Sequence, residues 1–247
     1  MIPYLGCKQS FAGELLANIP AAENFYDLFG GGGSVTEAAS KCQTDGILEP
    51  WKKWKHLHYN ELNTGVYLLN KEVWEGRFDF GYVKAQVPTK ERFRKERNNM
   101  TAWGAFVTYV WSFGNKGDGY FYSEKSNPET LGRNVHLERV NAIEKSPRLA
   151  NIKMTNKDYR WVKIKPNSVV YCDIPYIDKR KYYGVKFDFN AFYAWAQNAD
   201  FPVYFSGYDI VGYYKFTQVW EKLVTAKIKL NNNVTRTEKL FWNGRIL

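Results

Sequence analysis

The spacing of hydrophobic residues predicts alternating strands and helices in the first third of the chain. Apolar runs bounded by turns indicate strands, and apolar positions at a helical period indicate helices. The predicted order is helix 8–18, strand 24–29, helix 34–42, strand 56–62 and helix 63–76. Four glycines separate the first strand from helix 34–42, which Ser34 can cap. Two strand–helix units in series predict a parallel, doubly wound sheet.

The alternation stops in the middle of the chain and returns after residue 150. Residues 75–149 carry charge runs, an apolar helical stretch and an aromatic loop rich in Gly, Asn and Asp. We expect them to form an inserted, mainly helical module in a discontinuous domain made of 1–74 and 150–247. The later pattern predicts strand 167–173, helix 190–199, strand 201–209 and final antiparallel strands at 218–230 and 237–247. The predicted fold class is α/β, a mostly parallel sheet with an antiparallel C-terminal strand.

The net charge indicates a polyanionic partner. The 247 residues carry a formal net charge of +10, and nucleic acid is the commonest partner of so basic a chain. Nearly all of the excess lies within residues 84–165, which hold 17 Lys and Arg against 8 Asp and Glu. The alternative is a basic surface without a specific partner.

The cysteines and the hydropathy of the chain indicate which kind of protein this is and in which compartment it works. Three cysteines without a CxxC pair argue against a disulfide framework and a zinc site, so we expect no metal and a reducing compartment. No apolar run has the length of a membrane span, and the first ten residues lack the features of a signal peptide. A cytoplasmic protein without a membrane partner is expected.

Candidate ligand-binding residues follow the predicted strands. Gly30 to Gly33 come between a strand and a helix, where glycines let a cofactor approach the backbone and a helix N-terminus favours negative charge. Neither the P-loop pattern nor the usual GxGxxG spacing is present, and a tight turn is the alternative. Glu61 ends the second strand, near the position of ribose-binding acids in nucleotide-binding sheets. A lone acid there is otherwise a cap or a surface residue.

A third strand end carries the sequence VVYCDIPY, residues 169–176. Asp173 follows the buried run, and Pro175 and Tyr176 come soon after it; the alternative is a strand with a proline-containing turn. Ligands of open α/β sheets bind outside the carboxyl ends of strands, so these three ends are expected to converge. A carboxylate can accept a hydrogen bond from an amino group, and a tyrosine can stack on a flat ring. Together they suit the exocyclic amine of a nucleobase.

Several short motifs occur in the order that a known family uses. In chain order they are PYLGCKQ (3–9), DLFGGGGSV (27–35), NELN (60–63), DIPY (173–176), FD (187–188) and SGY (206–208). With these motifs the sequence resembles the Dam-like (D12 class) DNA N6-adenine methyltransferases, over essentially the whole chain outside the middle module. The resemblance implies a Rossmann-like methyltransferase fold, S-adenosylmethionine as cofactor and double-stranded DNA as partner.

The resemblance also implies roles for individual residues. S-adenosylmethionine would be bound by Tyr4, Lys8, Phe29, Gly30, Gly31, Gly32, Glu61, Asp158 and Asp173. The catalytic motif would be Asp173, Ile174, Pro175 and Tyr176. Two positions depart from the family, because Cys7 replaces a glycine and Ile174 replaces the first proline of Asp-Pro-Pro-Tyr. Isoleucine keeps a backbone carbonyl but loosens the φ angle that proline fixes.

The implied reaction acts on an adenine that is flipped out of the duplex. Tyr176 would stack on the base, while Asp173 and the Ile174 carbonyl accept the two N6 hydrogens. Positioning would supply most of the rate, with no metal and no covalent intermediate. Two alternatives stay open: a nucleic-acid-binding protein whose site Ile174 has damaged, and a methyltransferase acting on cytosine N4, RNA or protein. An aspartate at the first motif position favours adenine over cytosine N4.

The middle module is the expected reader of DNA. Its phosphate contacts would come from a basic run, Lys90, Arg92, Arg94, Lys95 and Arg97, unless these side chains form a solvated helix face. Base contacts would come from Asn115, Lys116, Tyr120 and Arg133. Four aromatic residues are expected in the core instead, namely Trp103, Phe106, Tyr109 and Trp111. The enzyme would act as a monomer, or as a dimer on DNA, in a bacterium or a phage-infected host.

Overall fold

Strands and helices alternate in the first third of the chain, and helices predominate in its middle. The computed structural model describes residues 2–4, 7–43, 53–122, 134–149, 151–175, 187–210, 212–229 and 232–247, with only the backbone of 226–229 and 232–234. The strands are β1 (Ala22–Asp27), β2 (Trp54–Asn60), β3 (Lys153–Thr155), β4 (Ser168–Asp173), β5 (Val203–Gly207), β6 (Thr217–Lys229) and β7 (Asn232–Trp242). The helices are α1 (Ala12–Ala17), α2 (Ser34–Ser40), α3 (Thr64–Glu75), α4 (Phe80–Lys84), α5 (Lys90–Glu96), α6 (Ala102–Val110), α7 (Val135–Glu144) and α8 (Phe189–Asn198). Within these ranges, no helix has the length and apolar character needed to span a membrane.

These seven strands form one sheet in the order β3-β2-β1-β4-β5-β7-β6. β1 lies between β2 and β4 and is parallel to both, and β3 and β5 continue the parallel pairing outward. β7 is antiparallel to its neighbours β5 and β6. The predicted class, α/β with a mostly parallel, Rossmann-like sheet and an antiparallel C-terminal strand, is confirmed.

Two hydrophobic clusters cover the two faces of the sheet. The first joins α1 and α2 to the sheet and includes Leu15, Val35, Leu57, Tyr171 and Leu240. The second packs α8 on the other face and includes Val170, Cys172, Phe192, Phe205 and Phe241. Neighbouring residues such as Leu240 and Phe241 serve different clusters because successive strand residues point to opposite faces. The central strands β1, β4 and β5 are therefore buried on both sides, and ligands of such sheets bind at the carboxyl edge.

The helices between β2 and β3 pack against α3. One hydrophobic cluster joins α3 to α4, α6 and α7 and includes Val66, Val73, Phe80, Phe106 and Ile143. α3 begins after Asn63, whose side chain accepts a hydrogen bond from the Val66 amide, and ends at Gly76 in the left-handed conformation. Because α3 follows β2 directly, it fixes these helices relative to the carboxyl edge of the sheet. The division into domains 1–74 with 150–247 and 75–149 stays a prediction.

Several element bounds differ from the sequence-based prediction by a few residues, and three of the differences concern α1, Ser34 and β7. α1 covers Ala12–Ala17 instead of 8–18, because residues 8–11 form the turn that leads into it. Ser34 is not the cap of α2, since Gly33 holds that position with a φ of 82° and no side-chain cap. The Ser34 hydroxyl instead accepts a hydrogen bond from the Lys8 amide at 3.3 Å. The last strand ends at Trp242, and Gly244, with a φ of 80°, turns the chain away.

Candidate functional site

The carboxyl ends of β1, β2 and β4 lie side by side in the sheet. Asp27 is the last residue of β1 and pairs with Tyr59 of β2 and with Tyr171 of β4. β4 ends at Asp173, opposite Ser206 of β5. The three strand ends that were predicted to converge are therefore neighbours, and the candidate site is built on this edge of the sheet.

The glycine segment after β1 is a tight loop held by backbone hydrogen bonds. The Gly30 amide donates to the last carbonyl of β2 at 2.9 Å, and the Ile2 amide donates to the Gly32 carbonyl at 3.2 Å. Gly31 and Gly33 have positive φ angles of 49° and 82°, which glycine adopts without steric cost. The loop thus connects the start of the chain with the end of β2.

A buried tyrosine supports the glycine loop. The Tyr59 hydroxyl and Asn70 Nδ2 both donate to the Gly31 carbonyl at 2.8 Å. Asn70 Nδ2 also donates to the Tyr59 oxygen at 2.8 Å. A Cβ atom at Gly30 would lie 2.1 Å from the Tyr59 ring. This close approach of loop and ring makes glycine necessary at position 30.

Glu61 links the glycine loop to the start of α3. Its Oε2 accepts a hydrogen bond from the Gly31 amide at 2.9 Å, and its Oε1 accepts one from the Asn63 amide at 2.7 Å. Burial raises the pKa of Glu61 above its ordinary value, and the Asn63 and Gly31 amides oppose that rise. A carboxylate offers about four lone-pair sites, so these two bonds leave capacity for ribose hydroxyls. The ribose contact itself stays a prediction.

Asp27 is a buried carboxylic acid that is absent from the site residues predicted from the sequence. It is 1% exposed, and its Oδ2 accepts a hydrogen bond from the Thr36 hydroxyl at 2.7 Å. Its Oδ1 has no hydrogen-bond partner among the residues that the structure describes. Burial, together with the charges of Asp173 and Glu61, raises the pKa of Asp27 to about 7. Its position as the first residue of DLFGGGGSV is the signal that could have identified it.

Replacing Asp27 by asparagine is expected to remove part of the pH dependence of stability. Because the pKa in the folded protein lies above the unfolded value, the stability contributed by protonated Asp27 is lost as the pH rises to about 7. Relative to the native protein, the variant should gain unfolding free energy between about pH 4 and about pH 8, by about 4 kcal/mol at most. Urea denaturation across this range measures the difference. The exposed Asp200 provides a matched Asp→Asn control, and parallel curves for the native protein and the Asp27 variant would contradict the prediction.

Lys8 brings the start of the chain, β4 and β7 together. Its ammonium lies 2.9 Å from Asp173 Oδ1 and 3.0 Å from Glu238 Oε1, and the side chain is 1% exposed. Burial alone would lower the pKa of Lys8, but Asp173, Tyr171 and Glu238 raise it above its ordinary value. Lys8 is therefore a fixed positive charge at the end of β4. Its predicted contact with a cofactor stays a prediction.

Asp173 is held at one oxygen by two donors. Lys8 Nζ and the Ser206 hydroxyl both contact Oδ1, at 2.9 and 3.1 Å. Ser206 in turn lies 2.9 Å from the Tyr171 hydroxyl. The Asp173 side chain is 23% exposed, in contrast to the buried Lys8. The result is an oriented carboxylate that a ligand can reach from the carboxyl edge of the sheet.

Ile174 and Pro175 lead the chain away from β4. The Ile174 side chain is 3% exposed and belongs to the hydrophobic cluster that contains α8. A residue before proline is restricted to extended backbone conformations, so Pro175 and burial both limit Ile174. Tyr176, the predicted base-stacking residue, lies outside the described residues.

Three further residues predicted to bind the cofactor border the same edge. The Tyr4 ring lies 4.9 Å from an aromatic ring of α6, measured between centroids. The Phe29 and Tyr159 centroids are 5.1 Å apart. Asp158 accepts hydrogen bonds from Arg160 Nε and Nη2, both at 2.8 Å. A cofactor contact of Asp158 would have to share this ion pair, and the cofactor contacts of all three residues stay predictions.

The basic run on α5 divides into two groups. Arg92 donates to the Tyr82 hydroxyl at 2.9 Å and lies over the Trp103 ring. Arg97 donates to the Asp118 carbonyl at 2.9 Å. The exposed side chains are Lys90, Arg94 and Lys95. The exposed group is better placed for phosphates than the two arginines, whose guanidinium groups already bind within the protein.

The loop predicted to contact bases follows α6 and closes on itself through a hydrogen bond from the Phe113 amide to the Gly119 carbonyl at 2.8 Å. Lys116 is exposed, and Tyr120 is half-buried. Asn115 has a φ of 56°, and its buried Oδ1 has no partner within the described ranges. Arg133 lies outside those ranges. The aromatic residues predicted for the core, Trp103, Phe106, Tyr109 and Trp111, do pack in the cluster around α3.

Matches to known proteins were found among solved structures alone. No protein-family model and no curated protein matches the chain. Among solved structures, the chain is similar to a protein from Pyrococcus horikoshii described as an RNA methyltransferase, with 11% identity and a TM-score of 0.38. The match covers 95% of this chain and 79% of that one. A likeness at this level carries no argument about reaction or substrate.

Proposed function

We propose that this protein is a site-specific DNA adenine-N6 methyltransferase that uses S-adenosylmethionine. The observation that carries the proposal is Asp173, a carboxylate at the carboxyl end of β4 that Lys8 and Ser206 hold in place. β4 is adjacent to β1, which leads into the glycine loop. A fixed carboxylate beside such a loop can orient an amino group for methyl transfer. The resemblance of DIPY, residues 173–176, to the adenine-specific motif supports adenine as the target.

The residues around the glycine loop fit S-adenosylmethionine. The buried Asp27 Oδ1, without a partner among the described residues, is a suitable acceptor for a cationic group. Glu61 is a suitable acceptor for ribose hydroxyls, and its bond to the Gly31 amide places it next to the glycine loop. The remaining contacts are proposed for Tyr4, Lys8, Phe29 and Asp158. When bound, the cofactor supplies an electrophilic methyl group.

Asp173 acts mainly by orientation in the proposed reaction. Its carboxylate accepts one hydrogen of adenine N6, and the Ile174 carbonyl accepts the other, so that the nitrogen lone pair faces the methyl group. Lys8 and Ser206 hold the carboxylate in place. Tyr176 stacks on the flipped base. The amine gives up one proton on methylation, which Asp173 or water accepts.

Methyl transfer from labelled S-adenosylmethionine to duplex DNA, RNA and protein tests the proposal. We expect label in DNA alone, recovered as N6-methyladenine after digestion and chromatography. Label in RNA, in protein or at cytosine N4 would contradict the adenine assignment. DNA binding without any transfer would support the alternative, a nucleic-acid-binding protein on the same fold.

Replacing Arg94 and Lys95 by alanine is expected to weaken DNA binding by reducing its electrostatic part. Both side chains are exposed on α5, and each lost phosphate contact makes the slope of log K against log salt less steep by about 0.9. The double variant should therefore change the slope by roughly 1 to 2, as measured by fluorescence anisotropy at several salt concentrations. The control replaces Lys41 and Lys55, which are exposed near the amino ends of the strands. Equal slopes for the two double variants would contradict this role of α5.

A further inference from the structure

We infer that Glu238 is a positioning residue for Asp173 and acts through Lys8. The inference rests on the proposed function, because Asp173 is the group that Glu238 serves. Glu238 belongs to none of the motifs that carry the family resemblance, and it lies 230 residues from Lys8 in the sequence. The hydrogen bond from Lys8 Nζ to Glu238 Oε1, 3.0 Å long and buried, connects them.

The register of β7 explains why this acid points toward Lys8. Glu238 shares its face of the strand with Leu240, while Lys239 and Phe241 face the other side. Leu240 belongs to the cluster that contains α1, and Lys8 begins the turn that leads into α1. Glu238 is itself buried. A charged residue in such a position requires an ionic or hydrogen-bonding partner, and Lys8 supplies one.

Lys8 is shared between two carboxylates. Its ammonium contacts Asp173 Oδ1 at 2.9 Å and Glu238 Oε1 at 3.0 Å. An ammonium has three donors, so both contacts can form at once. Glu238 thus fixes the place of the ammonium and balances part of its positive charge. Asp173 then keeps negative charge with which to accept a hydrogen from the target amine.

Loss of the charge at position 238 would change the hydrogen bonding of the Asp173 carboxylate indirectly, through Lys8. Without the Glu238 charge, Asp173 would balance more of the positive charge of the ammonium, and the ammonium would be held less firmly in its place. Asp173 would then accept the N6 hydrogens less strongly. The substitution would impair the orientation of the bound amine and leave the binding of DNA and cofactor intact. It should therefore reduce kcat more than it raises KM.

The substitution Glu238→Gln tests the inference because it keeps the size of the side chain and removes its charge. We expect kcat to fall about 10- to 100-fold while the KM values for DNA and S-adenosylmethionine stay within about threefold. Glu238→Asp, which keeps the charge, should recover part of the lost kcat. The matched control is Glu221→Gln, an exposed residue of the neighbouring β6, with native kinetics expected. A native kcat for Glu238→Gln would overturn the inference.

A second measurement does not depend on methyl transfer. Amine-specific labelling followed by mass spectrometry reports how firmly Lys8 is held. Lys8 should resist the reagent in the native protein and in Glu221→Gln, and react several-fold faster in Glu238→Gln. Should the glutamine variant fail to fold, Glu238→Asp must show a rise in Lys8 labelling, because its shorter side chain moves the carboxylate away from the ammonium.

The two measurements separate the two proposals. Unchanged Lys8 labelling overturns the role of Glu238 even where N6-methyladenine is found. If Lys8 is labelled faster in the variant but the native protein transfers no methyl group, the proposed function is wrong. The contact by which Glu238 positions Lys8 would still be supported.

Discussion

Replacing Asp173 by alanine is expected to reduce the rate of methyl transfer by about 10³-fold or more. Without the carboxylate, the Ile174 carbonyl alone would have to orient both hydrogens of the target amine. The amine could then rotate, and the geometry needed for transfer would be rare. Single-turnover transfer from labelled S-adenosylmethionine measures the rate. DNA affinity should stay within a few-fold of the native value, because the phosphate contacts proposed for α5 would be unchanged.

The Asp173 experiment requires variants that separate charge from structure. Asp173→Asn keeps the size of the side chain and an oxygen for Lys8 and Ser206, but it lacks the charge, so its transfer rate should also fall. Lys8 retains its contact with Glu238 in both variants, which limits the damage to the fold. Asp209→Asn, an exposed residue that pairs with Lys239, serves as the matched control. Transfer by Asp173→Ala at a near-native rate would show that this assignment is wrong.

The structure constrains the isoleucine at the second position of DIPY more than the sequence predicts. The sequence alone predicts a looser backbone, because isoleucine does not fix its own φ angle. The structure buries the Ile174 side chain to 3% exposure in a cluster that includes Cys172 and Phe205. Pro175 also restricts the backbone of the residue before it. Side-chain packing and the second proline thus replace part of the constraint that a first proline would supply.

Local patterns were sufficient to predict the edge of the sheet on which the site lies. The glycine loop, Glu61 and Asp173 each follow an apolar strand, and parallel strands bring such ends together. The contacts of Lys8 could not be predicted in this way, because they join residues that are distant in the sequence. Glu238 leaves one local signal, an acid at an inward-facing position two residues before Leu240 on a strand. The signal can be recognised only when the register of β7 is known, because the register decides which side of the sheet Glu238 faces.

The basic run on α5 also shows how far the sequence alone can predict side-chain contacts. The sequence gives five cations but does not say which of them bind within the protein. Helical spacing predicts one of these internal contacts, because Arg97 lies four residues after the buried Phe93 and therefore on the same face. The Arg97 guanidinium does lie over the Phe93 ring, 5.3 Å from its centroid. The partners of Arg92, which come from α4 and α6, depend on tertiary packing and have no local signal.

Replacing Gly30 by alanine is expected to destabilise the protein by roughly 2 to 4 kcal/mol and to weaken S-adenosylmethionine binding at least about tenfold. The new Cβ would lie 2.1 Å from the Tyr59 ring. That ring is fully buried, with its centroid 5.0 Å from that of Trp74, so it has little room to move. Any shift of Tyr59 also strains the hydrogen bond from its hydroxyl to the Gly31 carbonyl. Urea denaturation and titration calorimetry measure the two effects.

The matched control for Gly30→Ala is Gly13→Ala in α1. A Cβ atom at Gly13 meets nothing within 4 Å, and alanine is favoured over glycine inside a helix by about 1 kcal/mol. The two substitutions add the same methyl group, yet we expect them to change stability in opposite directions. The difference isolates the contact between the glycine loop and Tyr59. Similar stability and cofactor affinity in the two variants would contradict the prediction. It would mean that the Tyr59 ring can shift at little cost and does not fix the position of the loop.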